Sequence, residues 1–381
     1  MMNEPIVDLE TAAASLGISP SVLTLALAHI TRSDDFPFLS FPTSRRPIVI
    51  FLDQLHWIAL AKARLGRPDT MDDAQAYEYL VTLASQDQAI FPIAAASYME
   101  IARIGSCRQR IDLADTIGMV GGFVTIGSAT LALDVQLKNA LAARFGGEKV
   151  NVTWPFGIGV GFAFGIRGGM RIGVEGEEHL TPRAGPLSPD EARLTALAEY
   201  MMLRGPSSEE IPDLRLNGYR PEALAQVESD RVKHEQYLKD RLVGRSDLKG
   251  KLGDIVAARH LYWELRDVLP RYLALYDLTV DEFLSYGKEW LIEFLMDVPS
   301  AAVNIALREQ NFKNAYKGWT GNDIRDFDAM SEAVPYCDIV LTDKHVREQL
   351  RKSGVPAQLG TLVISRLSEL NNVLIRLGLV T

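Results

Sequence analysis

Short apolar runs alternate with helical patterns in two separate parts of the chain. The run IVIFL at 48–52 is β-branched and apolar on both faces, which is typical of a strand buried in a parallel sheet. Similar runs at about 89–95 and at 123–126 each precede a segment with helical spacing. The rhythm returns near the C-terminus with IVLT at 339–342 and TLVIS at 361–365. Strands alternating with helices predict an α/β fold with a near-parallel, doubly wound sheet flanked by helices.

A long segment of different character separates these two parts. We therefore divide the chain into an N-terminal helical segment (1–45), a first core part (46–147), a mainly helical insertion (148–317) and a second core part (318–381). The predicted sheet is thus interrupted in sequence, and its strands must meet across the insertion.

The N-terminal segment predicts a helical hairpin over residues 8–31, with its two short helices joined at Gly17. Ser19 is a good N-cap for the second helix and Pro20 suits its first position. The outline resembles a DNA-binding helix-turn-helix. However, the second helix, VLTLALAHI, offers no Arg, Lys, Asn or Gln to read base edges, which favours a hairpin that covers the core.

The insertion contains two unusual stretches. Residues 154–176 hold eight glycines and predict a hairpin or loop of unassigned role. Residues 231–271 carry ten Lys or Arg against six Asp or Glu, a local excess of four positive charges. That excess is compatible either with a solvated helical surface or with a basic wall for a phosphate backbone, since neutralised phosphates release counterions.

Composition excludes several classes of protein. The 381 residues are 47% hydrophobic and 23% charged, as in ordinary globular proteins, and the net charge of −9 argues against a generally basic nucleic-acid coat protein. The two cysteines, Cys107 and Cys337, form no CxxC pair, which makes a disulfide framework or zinc module unexpected. We find no signal-peptide pattern at the N-terminus and no membrane-length apolar run, so we expect a cytoplasmic protein without a membrane partner.

Acidic residues cluster where a parallel sheet forms its binding sites, outside the carboxyl ends of the strands. Asp53 directly follows IVIFL, and Asp343 directly follows IVLT. Glu100 lies in the first turns of the helix after the second strand. Asp326 lies near the start of the helix that enters IVLT, with Asp323 three residues earlier on the same face. A lone Asp at a strand end is usually a helix N-cap, but four converging acids would repel one another without a cation.

Oxygen-only donors favour a hard divalent cation. Carboxylates without Cys or His in the pattern select Mg²⁺ or Mn²⁺ over zinc. His56 and His345 follow Asp53 and Asp343 on the adjoining helices, and we expect them at the surface or behind the ligands. Asp338 precedes its strand and should lie near the opposite end of the sheet, which ranks it below Asp343.

The set IVIFLD, SYMEIA, NDIRDFDAMSEA and VLTDKH resembles the PIN-like nuclease superfamily. That family has an α/β core and an acidic site for divalent metal. Its pattern is an Asp ending the first strand, a Glu in the helix after the second, an Asp opening a later helix and a Thr–Asp pair near the fourth strand. The matching residues are Asp53, Glu100, Asp326 and Thr342–Asp343. The resemblance covers roughly 46–130 and 318–365, and compact family members lack the insertion.

The resemblance implies metal-dependent phosphodiester hydrolysis on nucleic acid, with single-stranded RNA as the favoured substrate. Asp53, Glu100, Asp326 and Asp343 would be the catalytic residues and the ligands of one or two Mg²⁺ or Mn²⁺ ions. Lys344 is a weaker candidate for a phosphate contact. Residues that would support or replace these ligands are Asp323, Asp328, Asp338 and Thr342. Asp323 and Asp328 also compete with Asp326 for the third acid position.

Several alternatives stay open at this point. The chain could be a catalytically degenerate scaffold that binds a protein partner through its insertion, although none of the four acids is lost. No RNA-recognition signature separates RNA from DNA. A free nuclease is hazardous to its host, so control by an inhibitory protein partner, by the insertion or by homo-oligomerisation is consistent with the resemblance. Toxin, defence and RNA-maturation roles are all compatible with it.

Overall fold

A computed structural model gives the architecture of the chain. It describes residues 11, 13–14, 17–39, 46–150, 155–165, 185–242, 245–248, 250–314 and 316–381. The elements of the N-terminal segment and first core part are α1 (Pro20–Arg32), β1 (Ile48–Leu52), α2 (Gln54–Arg64), α3 (Met71–Ser85), β2 (Ala89–Ile90), α4 (Ala95–Ala102), α5 (Cys107–Gly121), β3 (Val124–Ile126) and α6 (Ala129–Phe145).

The described residues of the insertion are mostly helical. Its elements are β4 (Phe156–Ile158), α7 (Gly159–Ala163), α8 (Pro189–Arg204), α9 (Ile211–Leu216), α10 (Pro221–Leu242), α11 (Leu252–Trp263), α12 (Leu269–Leu273), α13 (Val280–Ser285), α14 (Lys288–Met296) and α15 (Pro299–Lys313), with short 3₁₀ turns at Ser246–Leu248 and Ala274–Tyr276. The second core part contains α16 (Gly321–Ala333), β5 (Ile339–Leu341), α17 (Lys344–Ser353), α18 (Val355–Leu359), β6 (Leu362–Ile364) and α19 (Leu367–Arg376).

A four-stranded parallel sheet lies between helices, in the order β2-β1-β5-β6. This confirms the predicted mixed α/β class, with helix as the predominant structure. The apolar run of β1 occupies a central position because it pairs with β2 on one side and β5 on the other. Its residues Val49 to Leu52 are almost fully buried, and each such side chain contributes about 1.5–3 kcal/mol by leaving water.

The strand predicted at 123–126 exists, but it joins the sheet differently from its neighbours. β3 pairs antiparallel with β4, and it reaches the parallel sheet only through an isolated bridge between Ile93 and Thr125. β2 is also shorter than the run predicted at 89–95. Pro92 has no backbone N–H to donate to a ladder, which explains the break between β2 and the bridge.

α1 confirms the second helix of the predicted hairpin. Leu23, Ala26 and Ile30 are fully buried, and α1 packs against α5 and α8. This placement agrees with a helix that covers the core rather than one that enters a DNA groove. The first predicted helix lies largely outside the described residues, as do residues 154 and 166–176 of the glycine-rich stretch.

The last helix of the insertion is part of the central core. α15 is buried along most of its length and packs against α11, α16 and α17. No described helix is long and apolar enough to cross a membrane alone, although α14 and α15, bent by 109° at their junction, together have the length and composition of a broken span.

Candidate functional site

Two of the predicted acids stand side by side at the carboxyl edge of the sheet. Asp53 directly follows β1, and Asp343 follows β5 after Thr342; these strands are neighbours in register, with Leu52 opposite Leu341. The backbone N–H of Asp53 donates to the carbonyl of Leu341 at 3.0 Å. The buried hydroxyl of Thr342 donates to Asp53 Oδ2 at 3.2 Å.

Both aspartates also cap the helices that follow them. Asp53 Oδ1 accepts from the N–H of Gln54 at 2.7 Å, and Asp343 Oδ1 accepts from His345 and Val346 at 2.5 and 3.0 Å. Burial raises the pKa of Asp53, and repulsion from Asp343 adds to that rise. The Asp53 side chain therefore both caps α2 and lies within repulsive range of another acid, Asp343.

Glu100 and Asp326 come from two helices that pack together, α4 and α16. Burial, followed by repulsion from Asp53, raises the pKa of Glu100 to about 7, although Arg325 opposes the shift. Arg325 Nε donates to Glu100 Oε1 at 3.2 Å. Glu100 therefore has an internal counterion that sequence reasoning did not foresee.

Asp326 lies in a strongly repulsive environment. Burial raises its pKa to about 8, with repulsion from Asp53, Glu100, Asp343 and Asp323 adding to the shift. Within the described part of the chain, its carboxyl group makes no hydrogen bond or ion pair. A half-buried carboxyl group that is repelled by acids from three other segments is electrostatically suited to a cation.

The carboxyl groups are nevertheless not preassembled as ligands. Among the residues that the structure describes, no three His, Cys, Asp or Glu side chains stand close enough to hold a metal ion. Asp53 and Asp343 turn toward their helix N-termini, and Glu100 turns toward Arg325. The carboxylate oxygens fit Mg²⁺ or Mn²⁺. For Glu100 to bind such an ion, it would have to give up its hydrogen bond from Arg325.

Asp323 serves the start of α16. It forms a capping box with Thr320, whose hydroxyl donates to Asp323 Oδ2 at 2.7 Å and accepts from the Asp323 N–H at 3.2 Å. Lys317 Nζ approaches Asp323 Oδ1 at 2.5 Å and lies 3.1 Å from His345 Nε2. Asp323 is therefore engaged with Thr320 and Lys317 beside the candidate acids.

Asp328 and Asp338 bind partners outside the acidic cluster. Arg231 of α10 binds Asp328 with two parallel hydrogen bonds of 2.6 and 2.9 Å. Asp338 lies at the opposite end of the sheet, where it accepts from the Val49 N–H at 2.8 Å and pairs with Arg46 at 3.2 Å. Asp338 therefore does not belong to the candidate site, since Val49 and Asp53 lie at opposite ends of β1.

The three remaining side chains near the acids have contrasting surroundings. Lys344 and His345 are exposed at the start of α17. His56 is buried, which lowers its pKa to about 4, and its Nε2 lies 3.3 Å from the Ser365 carbonyl oxygen. Of the two places expected for His56, its burial excludes the surface, because α2 turns the ring toward Ser365 after β6.

The basic segment 231–271 is mostly neutralised. Arg231 pairs with Asp328, Arg259 with Glu235 and Glu264, and Arg245 with Asp247. Lys239 is buried and donates to backbone carbonyls. These contacts engage part of the positive charge of the segment within the protein.

A cavity lies elsewhere in the insertion, away from these acids. It encloses about 600 Å³ between α11, α12, α13 and α14, and none of the candidate acids lines it. Its walls are largely apolar, with Asp254 and Lys288 paired at 2.9 Å. It does not share residues with the acidic cluster.

Sequence reasoning missed Arg325, which forms an ion pair with Glu100. Arg325 stands inside the acidic run NDIRDFD, where a lone cation among acids was the available signal. Its second partner, Glu228, comes from the insertion and carried no such signal. Comparison of the chain with protein-family models, with curated proteins and with solved structures gives no match. The geometry of the acids therefore carries the functional argument.

Proposed function

We propose that this chain is a divalent-metal-dependent nuclease of the PIN-like type that cuts single-stranded RNA. The observation that supports the proposal is the convergence of Asp53, Glu100, Asp326 and Asp343 at one edge of the sheet, with Asp326 repelled by the other three. The strand order around β1 and β5 supports it further, because it places two of the acids on adjacent strands. The choice of RNA rests on the sequence resemblance.

Each residue has a role that follows from its place. The four acids would hold Mg²⁺ or Mn²⁺, and Thr342 orients Asp53 through its hydrogen bond. A bound ion of this kind acts as a Lewis acid, lowers the pKa of water and stabilises charge on phosphodiester oxygens. Asp326 must lose its proton to bind a cation, and Glu100 must leave Arg325. Lys344, exposed beside Asp343, would contact phosphate.

Cleavage of single-stranded RNA and DNA with Mn²⁺, Mg²⁺ or EDTA tests the proposal. We expect metal-dependent cutting of RNA by the wild type and loss of at least about 100-fold in rate for Asp53→Asn, because Asn is nearly isosteric but removes a ligand charge. Asp338→Asn is the matched control, since an Asn oxygen can still accept from Val49 at the opposite end of the sheet. Equal activity in all three proteins would contradict the assignment.

A second candidate is favoured by one observation. The ion pair between Arg325 and Glu100, together with the separated carboxyl groups, also suits a non-catalytic scaffold whose insertion binds a protein partner. The cleavage assay, together with a calorimetric titration, separates the two functions. A scaffold neither cuts nucleic acid nor binds Mn²⁺, so calorimetric titration of wild type and Asp53→Asn with Mn²⁺ would give identical, featureless traces.

A further inference from the structure

A carboxylate from the insertion is bound between two arginines beside the candidate acids. Glu228 of α10 accepts a hydrogen bond at Oε1 from Arg103 Nη1 at 2.8 Å and one at Oε2 from Arg325 Nη1 at 2.6 Å. Arg103 Nη2 also lies 2.7 Å from Glu228 Oε2. Burial would raise the pKa of Glu228, but the hydrogen bonds from Arg325 and Arg103 outweigh it and lower that pKa. The group is therefore an anion held by two guanidinium groups.

This anion site adjoins the candidate nuclease centre. Arg325 binds Glu228 with one nitrogen and Glu100 with another, and its third nitrogen contacts Asn322. Arg103 follows α4 directly, three residues after Glu100. The Arg325 side chain therefore contacts both the bound anion and Glu100, a proposed metal ligand.

The site fits its anion closely. A Cβ added to Gly321, the first residue of α16, would overlap with Glu228 Oε1. The carboxylate thus rests against bare backbone, and any side chain at 321 would displace it. Arg103 remains 39% exposed, so an incoming ligand can reach the site from solvent.

We infer that Arg103 and Arg325 form a binding site for a backbone phosphate of the strand being cut, and that Glu228 occupies this site in place of the phosphate. Planar guanidinium groups bind carboxylate and phosphate oxygens with the same paired geometry. Substrate must displace Glu228, which frees Arg325 to contact phosphate next to the candidate centre. The inference rests on the proposed function, because it names the substrate contacts of that site.

Binding of a short fluorescent single-stranded RNA tests this inference. The measurement uses the full chain carrying Asp53→Asn, so that nothing is cut, over a series of salt concentrations. Glu228→Gln removes the competing charge, and Gly321→Ala forces the Glu228 carboxylate to shift without changing any charge, with the added Cβ 3.3 Å from Arg325 Nη1. Glu222→Gln is the matched control, since Glu222 lies on the same helix, is exposed and pairs with Arg215.

We expect both Glu228→Gln and Gly321→Ala to bind RNA more tightly, by roughly fivefold at 0.1 M salt for each additional phosphate that an arginine neutralises. The salt dependence should steepen by about 0.7 for each such phosphate, a change that a purely structural ion pair would not produce. Adding Arg103→Gln to Glu228→Gln should return the affinity to that of the parent. Glu222→Gln should bind like its parent.

Failure of the inference differs from failure of the proposed function. If the wild type cuts RNA but Glu228→Gln and Gly321→Ala bind no better than Glu222→Gln, the phosphate site is overturned and the nuclease stands. If both variants bind RNA more tightly through Arg103 while no protein cuts RNA, the site stands and the nuclease fails. Binding of inorganic phosphate by Glu228→Gln without tighter binding of RNA would overturn the assignment to a nucleic-acid strand.

Discussion

Asp53 and Asp343 show what a single position in the sequence can predict. Both directly follow an apolar run, which favoured either a helix cap or a metal ligand, and the structure shows that each caps its helix. The cap engages Asp53 Oδ1, while Oδ2 accepts from Thr342. Sequence position alone was sufficient to predict the two caps, whereas the role of these residues as metal ligands stays a prediction.

Asp326 gives a prediction on pH and stability. Its pKa of about 8 lies above the value of about 3.9 in an unfolded chain. The folded state therefore binds more protons than the unfolded state between about pH 4 and pH 8, and this group's contribution to stability falls as pH rises through that window. We expect Asp326→Asn to lose less unfolding free energy than the wild type between pH 5 and pH 8, by about 1 kcal/mol or more.

Urea unfolding at pH 5 and pH 8 measures this difference. Mn²⁺ should restore part of the loss in the wild type at pH 8, because a cation stabilises the ionised carboxylates, whereas Asp326→Asn should respond less. Parallel pH profiles for the two proteins would show that Asp326 is not in the repulsive environment described above.

Gly159 provides a second prediction at this scale. It has a φ of +87°, and an added Cβ would overlap with Glu199 Oε1. Glu199 is buried and accepts from the Val160 N–H at 2.7 Å. We expect Gly159→Ala to cost about 1–2 kcal/mol for the left-handed backbone and about 1–3 kcal/mol more for the displaced carboxyl group.

Gly146→Ala is the matched control, because Gly146 has a φ of +82° but nothing lies within 4 Å of its added Cβ. Thermal or urea unfolding of both variants isolates the effect of the close contact with Glu199. Equal losses of stability in the two variants would mean that Glu199 moves aside without cost.

At the scale of elements, α10 explains why the insertion was hard to interpret. Its average polarity suggested a solvated helix, yet Glu235 and Lys239 are 1% and 2% exposed. Glu235 lies between Arg259 of α11 and Arg308 of α15, and Lys239 donates to the carbonyl oxygens of Asn311 and Lys317. Partners so far apart in sequence leave no local pattern, so hydrophobic periodicity could not find this interface.

The docking of α10 therefore depends on buried charge. We expect Glu235→Ala to destabilise the protein by about 3–5 kcal/mol, because it removes the buried carboxylate between Arg308 and Arg259 and leaves both guanidinium groups with Glu264 alone. Asp230→Ala, on the exposed side of the same helix, should change stability by at most about 1 kcal/mol. Urea unfolding compares them, and a loss for Glu235→Ala no larger than that for Asp230→Ala would contradict the prediction.

The strands show the same division between local and distant information. β1, β5 and β6 were predicted from apolar runs, and in β1 and β5 burial on both faces gives the strand a distinct composition. The antiparallel partner of β3 was not predicted, because FGI at 156–158 sits in a glycine-rich stretch with the character of a loop. Pairing depends on the tertiary fold, which local composition does not encode.

For the whole molecule, the alternation of strands and helices was sufficient to predict the α/β class and the edge at which the acids meet. It was not sufficient to predict how the insertion relates to the core. α15 belongs to the insertion in sequence but packs in the centre of the molecule, and Arg325 links Glu228 of the insertion to Glu100 of the core. Insertion and candidate site therefore form one structural unit.

Because β1 pairs with β5, which lies far later in the chain, the acidic centre can form only late in synthesis. The hydrogen bond between Thr342 and Asp53 joins residues 289 positions apart. At a synthesis rate of about 5–20 residues per second, β1 waits roughly 15–60 s on the ribosome before its central neighbour exists. The acidic centre cannot assemble on a nascent chain that stops before β5. Any activity of this centre is thus confined to chains whose translation has passed the second core part.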